Sequence, residues 1–315
     1  MTVSVVIPNW NGVEVVEACL ESLARQSHQP HEVIVIDNGS SDGSVNLITT
    51  KFPKTKLVQL ETNTGFAYAV NRGIEEARGE YVVLLNNDAK ADPKMIEHLL
   101  VTAKSSKAAI IGAILVSVDG GEIDTAGEYL SSWGIPGPTL RGQPVSSISK
   151  HDHEILAACG GAAMYDKKLF DKIGLFDEKY FAYNEDVDIS LRTRFAGERV
   201  FLSVAARAFH DTGHTEKKIP GLARKQTIKN TMILDLKIFP GLSLLKYSPK
   251  IIARQILLQG SAIVHGFWLM PLQADWEVLR LLPKILSDRE AIQKDRQISR
   301  KAFESLLVHK SGVRD

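Results

Sequence analysis

Two rhythms of apolar residues alternate along the N-terminal third of the chain. Val3-Ser4-Val5-Val6-Ile7, Val33 to Ile36, Lys56 to Leu60 and Tyr81 to Leu85 are short runs rich in aliphatic and β-branched residues, and each predicts a strand. Between them, Val13 to Arg25, Ser44 to Thr50 and Ala67 to Ala77 carry apolar residues at helical spacing. Repeated β-α units whose strands are apolar on both faces predict an α/β fold with a mostly parallel sheet covered by helices. In such a sheet, ligands bind beyond the carboxyl ends of the strands.

The pattern then decays. From Ser117 to His153 the chain offers Gly, Pro, Ser and short apolar pieces, the signature of a functional loop or a mobile segment. Order returns at Ile155 to Tyr165, with a kink at Gly160-Gly161. A helix is expected from Glu185 to Phe195, and Val200 to Phe209 reads as one or two strands ending at His210. Beyond Ile219 almost everything to Leu307 reads as helix. We therefore expect two units, an α/β one over 1–219 and a helical one over 220–315, with the boundary near Pro220.

Composition narrows the class. The chain has 315 residues and a formal net charge of +1, so it lacks the basic field that nucleic-acid binding calls for. Cys19 and Cys159 are the only cysteines, which suggests neither a disulfide framework nor a zinc site and fits a reducing cytosol. The N-terminus runs straight into a strand pattern, so no signal peptide is expected. No apolar run approaches the roughly 20 residues of a spanning helix.

Four segments carry the candidate chemistry: Asp37 after Val33 to Ile36, Asp88 in Leu84-Leu85-Asn86-Asn87-Asp88, the acids of Asn184-Glu185-Asp186-Val187-Asp188, and His210 after Phe209. Asp37 stands at a strand tip where a carboxylate can accept the imide N–H of a pyrimidine. The plain alternative there is a turn with Ser41 or Asp42 as helix cap. Asp88 can ligate a divalent cation, while Asn86 and Asn87 offer neutral oxygens only. Glu185, Asp186 and Asp188 are favoured at a helix start by the dipole. Asp186 is also the best-placed general base for an acceptor hydroxyl. His210 is a metal or phosphate ligand or a hydrogen-bonded structural residue, with His214 as a substitute ligand. Gly65, at a helix start before Asn71, can present backbone N–H groups to an anion.

In this order the segments resemble family 2 glycosyltransferases of the GT-A fold, closest to a bacterial rhamnosyltransferase-like branch. The resemblance covers roughly the first 240 residues, from Val3-Ser4-Val5-Val6-Ile7-Pro8-Asn9-Trp10-Asn11-Gly12 through Asn63-Thr64-Gly65-Phe66 and Gly174-Leu175-Phe176-Asp177-Glu178. It implies a Rossmann-like sheet and an inverting transfer of a sugar from a nucleoside diphosphate, dTDP-rhamnose favoured and UDP-sugars next. The acceptor would be a glycan or lipid-linked hydroxyl, and Mg²⁺ or Mn²⁺ would assist. It implies Asp186 as catalytic base, supported by Glu185 and Asp188, and Asp88 and His210 as metal ligands. Pro8, Asn11, Asp37, Asn38, Gly65, Asn71 and Asn87 would form the nucleotide pocket. Asn86 stands where the family's metal motif has its first acid, which removes one charge. Two other classes stay open. A nucleotidyltransferase would need a Gly- and Lys/Arg-rich phosphate loop where Pro8-Asn9-Trp10-Asn11-Gly12 stands. A non-catalytic assembly module would retain the fold alone.

The C-terminal helices mix bulky apolar residues with Lys246, Lys250 and Arg254, and continue through Phe267-Trp268-Leu269-Met270. They read as helices packed on the catalytic unit or forming a homodimer, or else as an interfacial segment on the inner face of an anionic membrane.

Overall fold

The computed structural model describes residues 1–211 and 218–308. Strands β1 (Val3–Asn9), β2 (Glu32–Asp37), β3 (Lys56–Gln59) and β4 (Tyr81–Leu85) pair in parallel in the order β4-β1-β2-β3. Helices α1 (Val16–Ala24), α2 (Ser44–Lys51) and α3 (Phe66–Glu76) connect them. Alternation along β1 sends Val5 and Ile7 to one face, with Leu20 and Leu23 of α1, and Val6 to the other, with Val70 and Ile74 of α3. A Cβ on Gly73 would meet Val6 Cγ1 at 2.2 Å, so α3 lies on β1 at a distance only glycine permits.

After β4 come β5 (Ala89–Ala91), α4 (Met95–Ser106) and β6 (Ile110–Val116). The irregular stretch that follows is pinned by short strands, β7 (Ile123–Thr125), β8 (Glu128–Leu130), β9 (Pro136–Pro138) and β10 (His153–Glu154). β11 (Ala162–Asp166) runs antiparallel between β4 and β6, so the sheet is mixed; its main path is β10-β12-β6-β11-β4-β1-β2-β3, with β5 added on β12 and β7 on β6. α5 (Lys167–Ile173) and α6 (Glu185–Phe195) lead into β12 (Val200–His210). β12 is one strand, with an irregularity between Leu202 and Arg207 where it pairs with β6.

Helices α7 (Leu222–Ile238), α8 (Gly241–Val264), α9 (Met270–Asp295) and α10 (Arg300–Leu306) complete the described chain. They share a core with α6: Val187, Leu191 and Phe195 lie in one cluster with Ile233, Tyr247, Val278 and Phe303. Among the described residues, no helix is long and apolar enough to cross a membrane.

Candidate active site

A cleft of about 580 Å³ opens beyond the carboxyl ends of the parallel strands, where Pro8, Asn38, Asn87, Asp88, Asp186 and His210 meet. Strand register brings the first pair of charged groups together. β5 pairs antiparallel with β12 so that His210 stands opposite Ala89, one residue after Asp88. The imidazole Nε2 therefore lies 3.2 Å from Asp88 Oδ1. That oxygen is buried and makes no hydrogen bond. On its other side His210 Nδ1 meets Asp124 Oδ2 at 2.8 Å, and Arg141 Nη2 donates to Asp124 Oδ1 at 2.7 Å.

Burial opposes charge on His210, but Asp124 and Asp88 outweigh it and lift its pKa to about 9. The His210 ring thus lies between two acids, at the position where a divalent cation would find one carboxylate oxygen and one ring nitrogen. The orphaned Asp88 oxygen and this mixed oxygen and nitrogen donor pair fit Mg²⁺ or Mn²⁺. Among the described residues no three His, Cys, Asp or Glu side chains converge on one point as a metal site would.

The second charged group comes from α6. Asp186 sits in its first turn, and its carboxylate accepts from Gly160 N–H at 2.9 Å and Val187 N–H at 2.8 Å. Burial raises its pKa above the usual carboxylate range, against the pull of those two amides. The result is an oriented carboxylate with greater basicity than one in water. Two further acids flank it. Glu185 is only 5 % exposed, and its Oε2 has no hydrogen-bond partner. Burial first, and then the Asp186 charge, push its pKa well up. Glu128 is raised in the same way and accepts from Thr125 Oγ1 at 3.2 Å.

A stability prediction follows from Glu185. An unfolded Glu titrates near ~4.3, and the folded one titrates higher. Between those two pH values the folded state holds the extra proton, so the wild type loses stability as pH rises through that window. Glu185→Gln removes this loss. Its melting temperature should exceed the wild type's at pH 8, with the gap closing towards pH 4. A pH-independent difference would show that Glu185 is solvated.

The floor of the cleft is a chain of amides. Asn87 Nδ2 donates to Asn9 Oδ1 at 2.8 Å, and Asn9 Nδ2 donates to Asp37 Oδ1 at 3.1 Å. Asn38 is tied to Thr64 and to the Gly65 carbonyl, which fixes Gly65 beside it at the start of α3.

Four expected site residues stand elsewhere. Asp37 is buried behind Asn9, with its second oxygen taken by Ser40 N–H, so it shapes the loop and is not part of the cleft lining. Asn11, at φ 48°, accepts from Ser41 N–H and likewise holds that loop. Asn71 is buried and tied to Phe176 by both ends of its amide, and to Glu178. Asp188 is fully buried on the inward face of α6, ion-paired with Arg192 at 2.7 Å and Lys237 at 2.8 Å. His214 lies outside the described residues.

Asp124, Glu128 and Arg141 escaped the sequence reading. All three come from the irregular stretch after β6. The brief Ile123-Asp124-Thr125 alternation was the one local signal, and three residues are too few to carry it.

Comparison with known proteins agrees with this geometry. Residues 4–174, more than half of the chain, match the model of glycosyl transferase family 2. The N-acetylglucosaminyl-diphospho-decaprenol L-rhamnosyltransferase of Mycobacterium tuberculosis is 26 % identical over 240 residues, spanning 69 % of this chain and 78 % of that one. S. aureus TarS 1–349, solved with UDP, superposes with a TM-score of 0.54 at 15 % identity over 100 % of this chain and 95 % of that one. GalNAc-T7, solved with UDP, GalNAc and Mn²⁺, gives a TM-score of 0.55 at 17 % identity, over 66 % of this chain and 43 % of that one. At these identities the two structures speak for the fold alone. Family match, sheet order and strand-tip cleft together make the chain a member of glycosyl transferase family 2, with the GT-A fold.

Proposed function

We propose that this glycosyltransferase moves a sugar, rhamnose in the first instance, from a nucleoside diphosphate to a hydroxyl of a glycan or lipid-linked acceptor, with inversion. Thymidine diphosphate is the favoured donor nucleotide and UDP the second. The observation that carries this reading is the meeting of two groups in one cleft: a pinned, basic Asp186 carboxylate and the Asp88–His210 pair. The name of the mycobacterial relative supports rhamnosyl transfer to a polyprenyl-linked sugar, and the UDP carried by both structural neighbours supports a nucleotide donor.

Asp186 takes the acceptor hydroxyl proton as that oxygen attacks the anomeric carbon, and the carbon–phosphate oxygen bond breaks on the far side. The Gly160 and Val187 amides hold the carboxylate in place and resist its reorientation. A Mg²⁺ or Mn²⁺ ion held by Asp88 and His210 would offset charge growing on the departing diphosphate. Arg141 supplies a fixed positive group on the same side. Cys159 lines the cleft, and burial pushes its thiol pKa well up, away from the thiolate a nucleophile needs.

Calorimetric titration with dTDP, UDP and GDP, each with and without Mn²⁺, tests the reading. One nucleotide should bind more tightly with the metal, and Asp88→Ala should lose at least ~10-fold of that metal-dependent affinity. Equal binding with and without Mn²⁺ would remove the metal assignment, and binding of no nucleotide would remove the donor reading.

A further inference from the structure

α8 and α9 form an antiparallel hairpin whose outward sides are apolar. Along α8, Leu242, Leu245, Ile252, Ile256 and Ile263 are exposed, and Pro249 and Gly260 complete an alternation of three- and four-residue steps. Such steps place them on one stripe of the helix. Along α9 the same rhythm exposes Leu272, Trp276, Leu279 and Leu286. The opposite sides, with Tyr247 and Ile251 of α8 and Val278 and Ile285 of α9, enter one core cluster with α6. Both exposed stripes therefore face away from the catalytic sheet. The exposures are large for side chains of this size: Leu245 71 %, Val264 84 %, Trp268 70 % and Trp276 66 %. A contiguous apolar face of this kind marks an interaction surface.

Charge selects the partner. No Asp or Glu occurs between Asp235 and Asp275. Along α9 before Glu290 the most exposed charges are Arg280 and Lys284, while Glu277 and Asp288 are partly exposed and paired with Lys225 and Lys179. The exposed positions of α8 carry Lys246 alone among charges, and it is paired with Glu304. In a second copy of this face Glu277 and Asp288 are already engaged within their own chain, so Arg280 and Lys284 would find fewer free carboxylates there than at anionic headgroups. The hairpin also adjoins the cleft. Arg254 of α8 donates to the carbonyls of Trp133 and Gly134, Lys250 donates to Ser132, and the same loop continues into Pro136–Pro138 at the cleft wall. Trp133 and Ile135 of that loop are themselves exposed.

We infer that the α8–α9 hairpin lies in the plane of an anionic lipid surface, with Trp268 and Trp276 at headgroup depth and the cleft beside the lipid boundary. This goes beyond the transferase reading and stands on the helices themselves.

The full chain should sediment with phosphatidylcholine vesicles containing phosphatidylglycerol, and much less with phosphatidylcholine alone. Leu245→Asp combined with Trp276→Asp, both at exposed positions, should weaken that binding ~100-fold or more. The variant should keep the wild-type melting temperature and nucleotide binding. Equal binding to both vesicle types overturns the anionic partner. No binding to either overturns the proposal, and light scattering that shows a dimer lost in the double variant assigns the face to a second copy instead. Nucleotide titration of the same samples in the absence of vesicles keeps failure of the donor reading separate from failure of this one.

Discussion

Asp186→Asn should lower the rate of sugar transfer ~10²–10⁴-fold while changing donor affinity only a few-fold. The substitution preserves size and leaves an oxygen to accept the Gly160 amide, so the loop between Cys159 and Gly161 stays in place. It removes the one group in the cleft that combines a fixed orientation with raised basicity. Glu185 and Glu128 lack the two backbone amides that orient Asp186, and burial raises the pKa of both. Steady-state kinetics with a defined acceptor, beside calorimetry with the nucleotide alone, separates proton transfer from binding. Near-full turnover by the variant would dismiss Asp186 as the base.

Asp188→Ala should destabilise the protein by ~3–5 kcal/mol, the range for removing one partner of a buried ion pair. Asp188 touches three groups that α6 and α7 bury around it: Arg192, Lys237 and the Tyr180 hydroxyl at 3.3 Å. Lys237 also pairs with Asp177, which in turn meets Lys179 at 2.9 Å, and Lys179 reaches Asp288 of α9 at 2.7 Å. Loss of Asp188 leaves buried Arg192 without its carboxylate and Lys237 with Asp177 alone. A denaturant titration reads the loss. Nucleotide affinity of the folded variant should match the wild type's, because Asp188 stands behind the site. A change under about 1 kcal/mol would mean that water reaches the network.

The residues that the sequence made legible share one property. Asp88, Asp186 and His210 are each announced by the element immediately before or after them, a strand tip or a helix start, so local pattern is enough to place them. Asp37 has the same local signal and differs only in its surroundings: Asn9 and Ser40 occupy both carboxylate oxygens, a fact of neighbouring strands. Asn71 is expected in the nucleotide pocket, but the structure ties its amide elsewhere. Its real partner, Phe176, is 105 residues away, beyond what any window of sequence reports. Asp124 and Arg141 fail in the opposite direction. They matter because a loop held by two- and three-residue strands returns to β12, and such pairings leave almost no periodic trace. The helical C-terminus was visible as helix, but which side of each helix faced the core depended on α6, which lies well upstream.

The loop between β6 and β11 has a consequence for how proteins of this shape diverge. Both its ends are anchored in the sheet, so its length and most of its sequence can be rewritten without disturbing the strands that carry Pro8, Asn87 and Asp88. A graft of this loop from one relative to another would be a natural way to exchange acceptors. Gly160 sets one limit, since its amide holds Asp186, and Asp124 sets another through its hydrogen bond to His210. A transplanted loop that lacks a carboxylate at that position would bring its new specificity into a cleft whose histidine has lost its hold.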